Sequence, residues 1–113
     1  MSIFLSIIIP ARNEEENIGE TIESLIPYID RENTEIIIVN DHSEDKTEDI
    51  VVELCKKYQF LKIIRNEKEP GFANTLKAGF EKAKGEYVLP VMADLCDQPE
   101  TIKKMIKKAD EGF

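Results

Sequence analysis

The spacing of apolar residues along this chain changes several times, and each change marks a structural element. Residues 3–10, Ile3-Phe4-Leu5-Ser6-Ile7-Ile8-Ile9-Pro10, form a nearly continuous apolar run stopped by proline, the pattern of a strand buried on both faces. Ile18, Ile22, Leu25 and Ile26 then recur at helical spacing and lay one apolar stripe along a helix. That helix is expected to begin near Asn13, where Asn13 and Glu16 have capping-box spacing, and to end at Pro27. Glu35 to Val39 is a second, β-branched strand. Ile50, Val51, Leu54, Cys55 and Tyr58 form the stripe of a second helix, with Ser43 and Asp45 as cap candidates. A short strand over Phe60–Ile64 leads through a turn at Pro70-Gly71 to a third helix, predicted to bury Phe72, Leu76, Phe80 and Ala83 on one face. Gly85 closes that helix and opens a fourth strand through Tyr87 and Val88 toward Asp94. A last helix, opened by Asp97-Gln98-Pro99-Glu100, carries Ile102, Met105, Ile106 and Ala109.

Strands alternating with helices, with strands apolar throughout, predict an α/β fold. Its core is a mainly parallel sheet with helices on both faces, because each parallel crossover needs a covering helix. Two strands run straight into acids: the second into Asn40-Asp41-His42-Ser43, the fourth into Ala93-Asp94. Open sheets of this kind bind ligands outside the carboxyl ends of their strands, so both carboxylates are candidate site residues.

Charge and length narrow the chemistry. The 113 residues suit one domain burying roughly two-thirds of its unfolded surface. A net charge of −8 argues against nucleic acid, whose phosphates require Lys and Arg. No apolar run reaches the roughly 20 residues of a membrane span and no leader pattern is present, so a cytoplasmic protein is expected. Cys55 and Cys96 lack metal-ligand spacing and are expected as reduced thiols. The turn after the first strand, Ala11-Arg12-Asn13-Glu14, has neither the glycines of a dinucleotide fingerprint nor a P-loop lysine, and no acidic pair of the receiver-domain kind.

Three segments carry a resemblance: Ser6-Ile7-Ile8-Ile9-Pro10-Ala11-Arg12-Asn13-Glu14-Glu15-Glu16-Asn17-Ile18, then Ile38-Val39-Asn40-Asp41-His42-Ser43-Glu44-Asp45-Lys46-Thr47, then Gly85-Glu86-Tyr87-Val88 leading to Ala93-Asp94-Leu95. Together they resemble the donor half of family-2 glycosyltransferases with the GT-A fold, closest to the dolichol-phosphate mannose synthase-like, polyprenyl-phosphate sugar transferase branch. Residues 70–80 and the Asp94-Leu95-Cys96-Asp97-Gln98-Pro99-Glu100 segment point to the same branch. The resemblance implies a Rossmann-like three-layer α/β/α domain, here with sheet order 3-2-1-4, that holds a nucleotide-diphospho-sugar. It implies a nucleotide pocket lined by Pro10, Ala11, Asn13, Glu15 and Ala93, with Asp41 accepting a base N–H and Arg65 meeting base or phosphate. Asp94 matches the second acid of the Asp-x-Asp that holds Mg²⁺ or Mn²⁺ on the diphosphate. The implied partners are a nucleotide-sugar donor and an acceptor such as polyprenyl phosphate, with a peripheral membrane location.

Two departures qualify the implied activity. Position 92, the first acid of the Asp-x-Asp, is Met92, whose thioether is a poor ligand for hard cations, so a weakly held metal is expected. The family's acceptor half and general base fall beyond residue 113, so no catalytic residue is assigned. Residues 1–113 are expected to form a single donor-binding domain that is silent alone and pairs as a homodimer through strand four; the alternative is a non-catalytic nucleotide-binding module. Duller roles compete at several positions. Asp97 with Glu100 reads as a capping box, Glu14 and Glu16 as helix-dipole partners, His42 as an exposed loop residue, and Lys103, Lys104, Lys107 and Lys108 as a solvated face.

Overall fold

The structure is a computed structural model and describes residues 3–92 together with Lys104 and Lys107. Its elements are β1 (Leu5–Ala11), α1 (Ile18–Leu25), a 3-10 turn over Ile26–Tyr28, β2 (Thr34–Asn40), α2 (Thr47–Lys57), β3 (Leu61–Arg65), α3 (Phe72–Lys82) and β4 (Tyr87–Pro90). The sheet runs β3-β2-β1-β4 with every pair parallel, as the resemblance implied. In register, Ile7 lies between Ile36 and Leu89.

Strand alternation divides the core into two layers. Leu5, Ile7, Ile9, Ile36 and Ile38 face one way and pack with Ile18, Ile22, Leu25 and Val51 of α1 and α2. Ile8, Ile37 and Val39 face the other way, against Leu76 and Ala78 of α3. The isoleucines are essentially inaccessible to water, each worth about 1.5–3 kcal/mol of burial. Such density holds the sheet rigid beneath the loops at its carboxyl edge.

Four expectations change. The first helix starts at Ile18, not Asn13, and no Asn13–Glu16 capping box forms. Asn13 adopts the left-handed conformation (φ 51°), which an N-cap does not use, and its side chain reaches across to the β2–α2 loop. Pro10 does not stop β1, which continues to Ala11; lacking an N–H, Pro10 lies beyond the last β1–β4 pair, Ile8 with Pro90. On α3, Phe72 and Phe80 are exposed, while Thr75 and Gly79 are buried. The helix lies so close to the sheet that a Cβ on Gly79 would come within 2.5 Å of Ile8 Cγ2, so its narrow side faces inward. Finally, β4 is only half-buried, with Val88 and Pro90 exposed, because α3 packs chiefly over β1 and β2. The predicted last helix lies outside the described residues, except that Lys104 and Lys107 are helical and exposed.

Candidate functional site

The connections after β1, β2 and β3 at the carboxyl edge are fixed by side-chain-to-backbone hydrogen bonds. The Asn13 N–H donates to Ser43 Oγ (3.0 Å) and the Glu44 N–H to Asn13 Oδ1 (2.8 Å). The Glu14 N–H donates to Thr47 Oγ1 (2.8 Å), the Glu15 N–H to Asp45 Oδ2 (3.2 Å), and the Lys46 N–H to Glu15 Oε2 (3.4 Å). Asp45 also accepts from the Thr47 N–H (2.9 Å) and Ser43 ties the loops, but neither cap candidate is the N-cap of α2, which is Lys46 with no side-chain capping bond. Partial burial raises the Asp45 carboxyl, but the Thr47 hydroxyl and N–H and the Glu15 N–H outweigh that and hold it below its ordinary value.

Asp41 follows β2 and is buried. Its N–H donates to the Ala11 carbonyl (2.8 Å), which docks it beside the end of β1. Its Oδ1 accepts from Asn66 Nδ2 and its Oδ2 from the Gly71 N–H, both at 3.0 Å. The Gly71 carbonyl then accepts the Thr75 hydroxyl (2.6 Å), which starts α3. Gly71 has φ +150°, a conformation that favours glycine. A carboxylate offers about four lone-pair sites, so Asp41 can clasp the β3–α3 loop and still accept from a ligand.

Pro10, Ala11, Arg12, Glu14, Asp41, Gly71, Phe72, Thr75 and Met92 line one cavity of about 340 Å³. Of the residues singled out from sequence, Pro10, Ala11 and Asp41 meet there. Asn13 and Glu15 lie in the adjoining loop network instead. Arg65 lies outside this cavity, lining a neighbouring groove with Asn40, His42 and Glu48. Its guanidinium grips Glu48 in a bidentate pair (Nε to Oε1 2.7 Å, Nη2 to Oε2 2.6 Å), and Asn40 Nδ2 adds a bond to Oε1 (3.1 Å). Arg65 first and Asn40 second push the Glu48 carboxyl down to about 2. His42 is exposed, and its Nε2 donates to the Lys68 carbonyl (2.8 Å). Ala93 and Asp94 lie outside the described residues, as do Cys96 and Asp97.

Sequence reasoning missed Asn66, Thr75, Glu48 and the position of Phe72. A polar residue just past a strand end was the available signal for Asn66. The others bond or face across the fold, where local spacing carries no information. Among the described residues, no group of three or more His, Cys, Asp or Glu side chains could hold a metal ion. Met92, 40% exposed, borders the same cavity as Asp41. No helix among the described residues is long and apolar enough to cross a membrane.

A parallel β3-β2-β1-β4 sheet with helices on both faces is the architecture of GT-A glycosyltransferases. The chain belongs to glycosyl transferase family 2, whose family model matches residues 6–113. It is 37% identical over 108 residues to the dolichol-phosphate mannosyltransferase of Pyrococcus furiosus, covering 96% of this chain and 30% of that protein. S. aureus TarS, solved in complex with UDP-GlcNAc, is 30% identical and superposes with a TM-score of 0.73, over 96% of this chain and 32% of TarS. The mannosyltransferase PcManGT of Pyrobaculum calidifontis, solved with GDP-Man and Mn²⁺, shares the fold at 24% identity and TM-score 0.75, over 83% of this chain and 28% of its own. The chain spans about a third of the length of the curated relatives it matches.

Proposed function

We propose that this chain binds the nucleotide-diphospho-sugar donor of a glycosyltransferase, with the nucleotide in the Asp41 cavity. The observation that carries the reading is the buried Asp41 carboxylate, which opens, with acceptor capacity left, into a cavity bordered by Pro10 and Ala11. A carboxylate so placed accepts a base N–H through a charge-assisted bond. Asn13 and Glu15 support the pocket by fixing the loop that carries Arg12 and Glu14. Arg65, locked on Glu48, lines the neighbouring groove, and a donor that extends into that groove would meet its remaining N–H groups through phosphate or base. Ala93, proposed for the pocket from the motif alone, lies outside the described residues. Asp94, with the donor's diphosphate and water, is the proposed seat of a divalent cation, which when bound neutralises the leaving diphosphate. Sugar transfer to polyprenyl phosphate or another acceptor, at the membrane surface, is the activity proposed for the protein as a whole.

Calorimetric titration of the chain and of Asp41→Ala with UDP and GDP, with and without Mn²⁺, tests the reading. One of the two diphosphates is expected to bind, and Asp41→Ala to lose about 1.5–3 kcal/mol of binding free energy, the worth of a hydrogen bond to a charged group. Unchanged affinity in Asp41→Ala removes Asp41 from the pocket.

A further inference from the structure

Phe72 fits the apolar stripe of α3, yet it is 52% exposed and borders the Asp41 cavity with Gly71, Thr75 and Met92. Its place there is built in. The preceding residue, Gly71, is held at its N–H by Asp41 Oδ2 (3.0 Å) and at its carbonyl by the Thr75 hydroxyl (2.6 Å) and N–H (3.1 Å). The carboxylate that faces the cavity therefore also sets the start of the helix that presents the ring. With Pro10 and Ala11 the cavity gains apolar surface beside one buried acceptor. That combination matches a heteroaromatic base, which offers an apolar face for stacking and N–H donors on its edge. Phe80, two turns further along α3, is almost as exposed at 47% but does not border the cavity.

We propose that Phe72 is the aromatic platform against which the nucleotide base lies, positioned by Asp41 through Gly71. The proposal rests on the donor-site reading above and names a contact residue within it. Phe72→Ala, Phe72→Tyr and Phe80→Ala are titrated calorimetrically with UDP and GDP beside the unaltered chain. Phe72→Ala is expected to lose about tenfold in affinity, within the range found when a stacking aromatic is removed. Phe72→Tyr, which keeps the ring, and Phe80→Ala, which removes a comparably exposed ring outside the cavity, are both expected to bind as the unaltered chain does. Full affinity in Phe72→Ala, or an equal loss in Phe80→Ala, overturns the platform while leaving the donor site standing. An unaltered chain that binds neither diphosphate overturns the donor site and the platform together.

Discussion

Asp41 does two things at once, and both follow from one buried carboxylate at the end of β2. It clasps Asn66 and Gly71, and it keeps acceptor capacity toward the cavity. Glu35 is its structural counterpart near the other end of the sheet. Buried, it accepts from Ser6 Oγ (2.6 Å), Lys62 Nζ (2.9 Å) and the Lys84 N–H (2.7 Å), while the Gly85 N–H donates to Ser6 (2.8 Å). Burial raises the Glu35 carboxyl, but these donors outweigh it and leave it below its ordinary value of 4.5. A carboxyl depressed on folding contributes stability that is complete above the unfolded value and is lost as pH falls through the folded one. Glu35 and Glu48 both act in that direction, so acid should weaken the fold from about pH 4.5 downward, toward the Glu48 value of about 2. Glu35→Gln should be less stable at neutral pH, by about 1–3 kcal/mol, and should lose less on acidification. Denaturant midpoints at neutral pH and near pH 3 check both; an acid dependence as steep as that of the unaltered chain would clear Glu35 of the role. Met92 carries the other residue-scale prediction. Because it borders the Asp41 cavity, Met92→Asp places a hard oxygen ligand there and should strengthen Mn²⁺ binding in the presence of nucleoside diphosphate. Titration showing no gain would mean that the cation is held elsewhere.

Strands were the most legible elements, because β-branched runs buried on both faces leave little choice of period: β1, β2 and β3 fall within a residue or two of the boundaries read from Ile3–Pro10, Glu35–Val39 and Phe60–Ile64. The start of α1 was not legible. Asn13 and Glu16 satisfy a local rule, yet Asn13 bonds Ser43 and Glu44, about 30 residues away, which local spacing cannot reveal. On α3 the stripe Phe72, Leu76, Phe80 obeys helical spacing, but how closely helix and sheet approach decides what is buried, and Gly79 permits the closer approach. Gly79→Ala tests this with opposing effects. Helix propensity favours alanine by about 1 kcal/mol, whereas the new Cβ would sit 2.5 Å from Ile8 Cγ2 and 3.2 Å from Val39 Cγ2. Both neighbours are branched, inaccessible side chains in central strands, so the clash should win and destabilise the protein by about 1–3 kcal/mol. A rise in midpoint on thermal melting would show that α3 can move outward at no cost. Of the residues that line the cavity, Asp41 was singled out by its place at a strand end, and Pro10 and Ala11 by the resemblance. Phe72 and Thr75 were not, since their place depends on the loop that Asp41 draws in.

The whole molecule has one edge arranged for a ligand. At the carboxyl edge the loops diverge around the Asp41 cavity, whereas near the opposite edge the Glu35–Ser6–Lys84 network joins β1 and β2 to the α3–β4 connection. Net charge of −8 sets a background unfavourable to a diphosphate, which a divalent cation bound with the nucleotide would relieve. The most direct test is a titration of the ¹⁵N-labelled chain with UDP and with GDP in the presence of Mg²⁺, followed by amide chemical shifts. The account predicts shifts concentrated at Ala11, Arg12, Asp41, Gly71 and Phe72, saturating with one ligand per chain, with the Glu35 network unmoved. Saturable shifts confined to the groove between β3 and α3, around Lys77 and Glu81, would contradict it, as would the absence of shifts with either nucleotide.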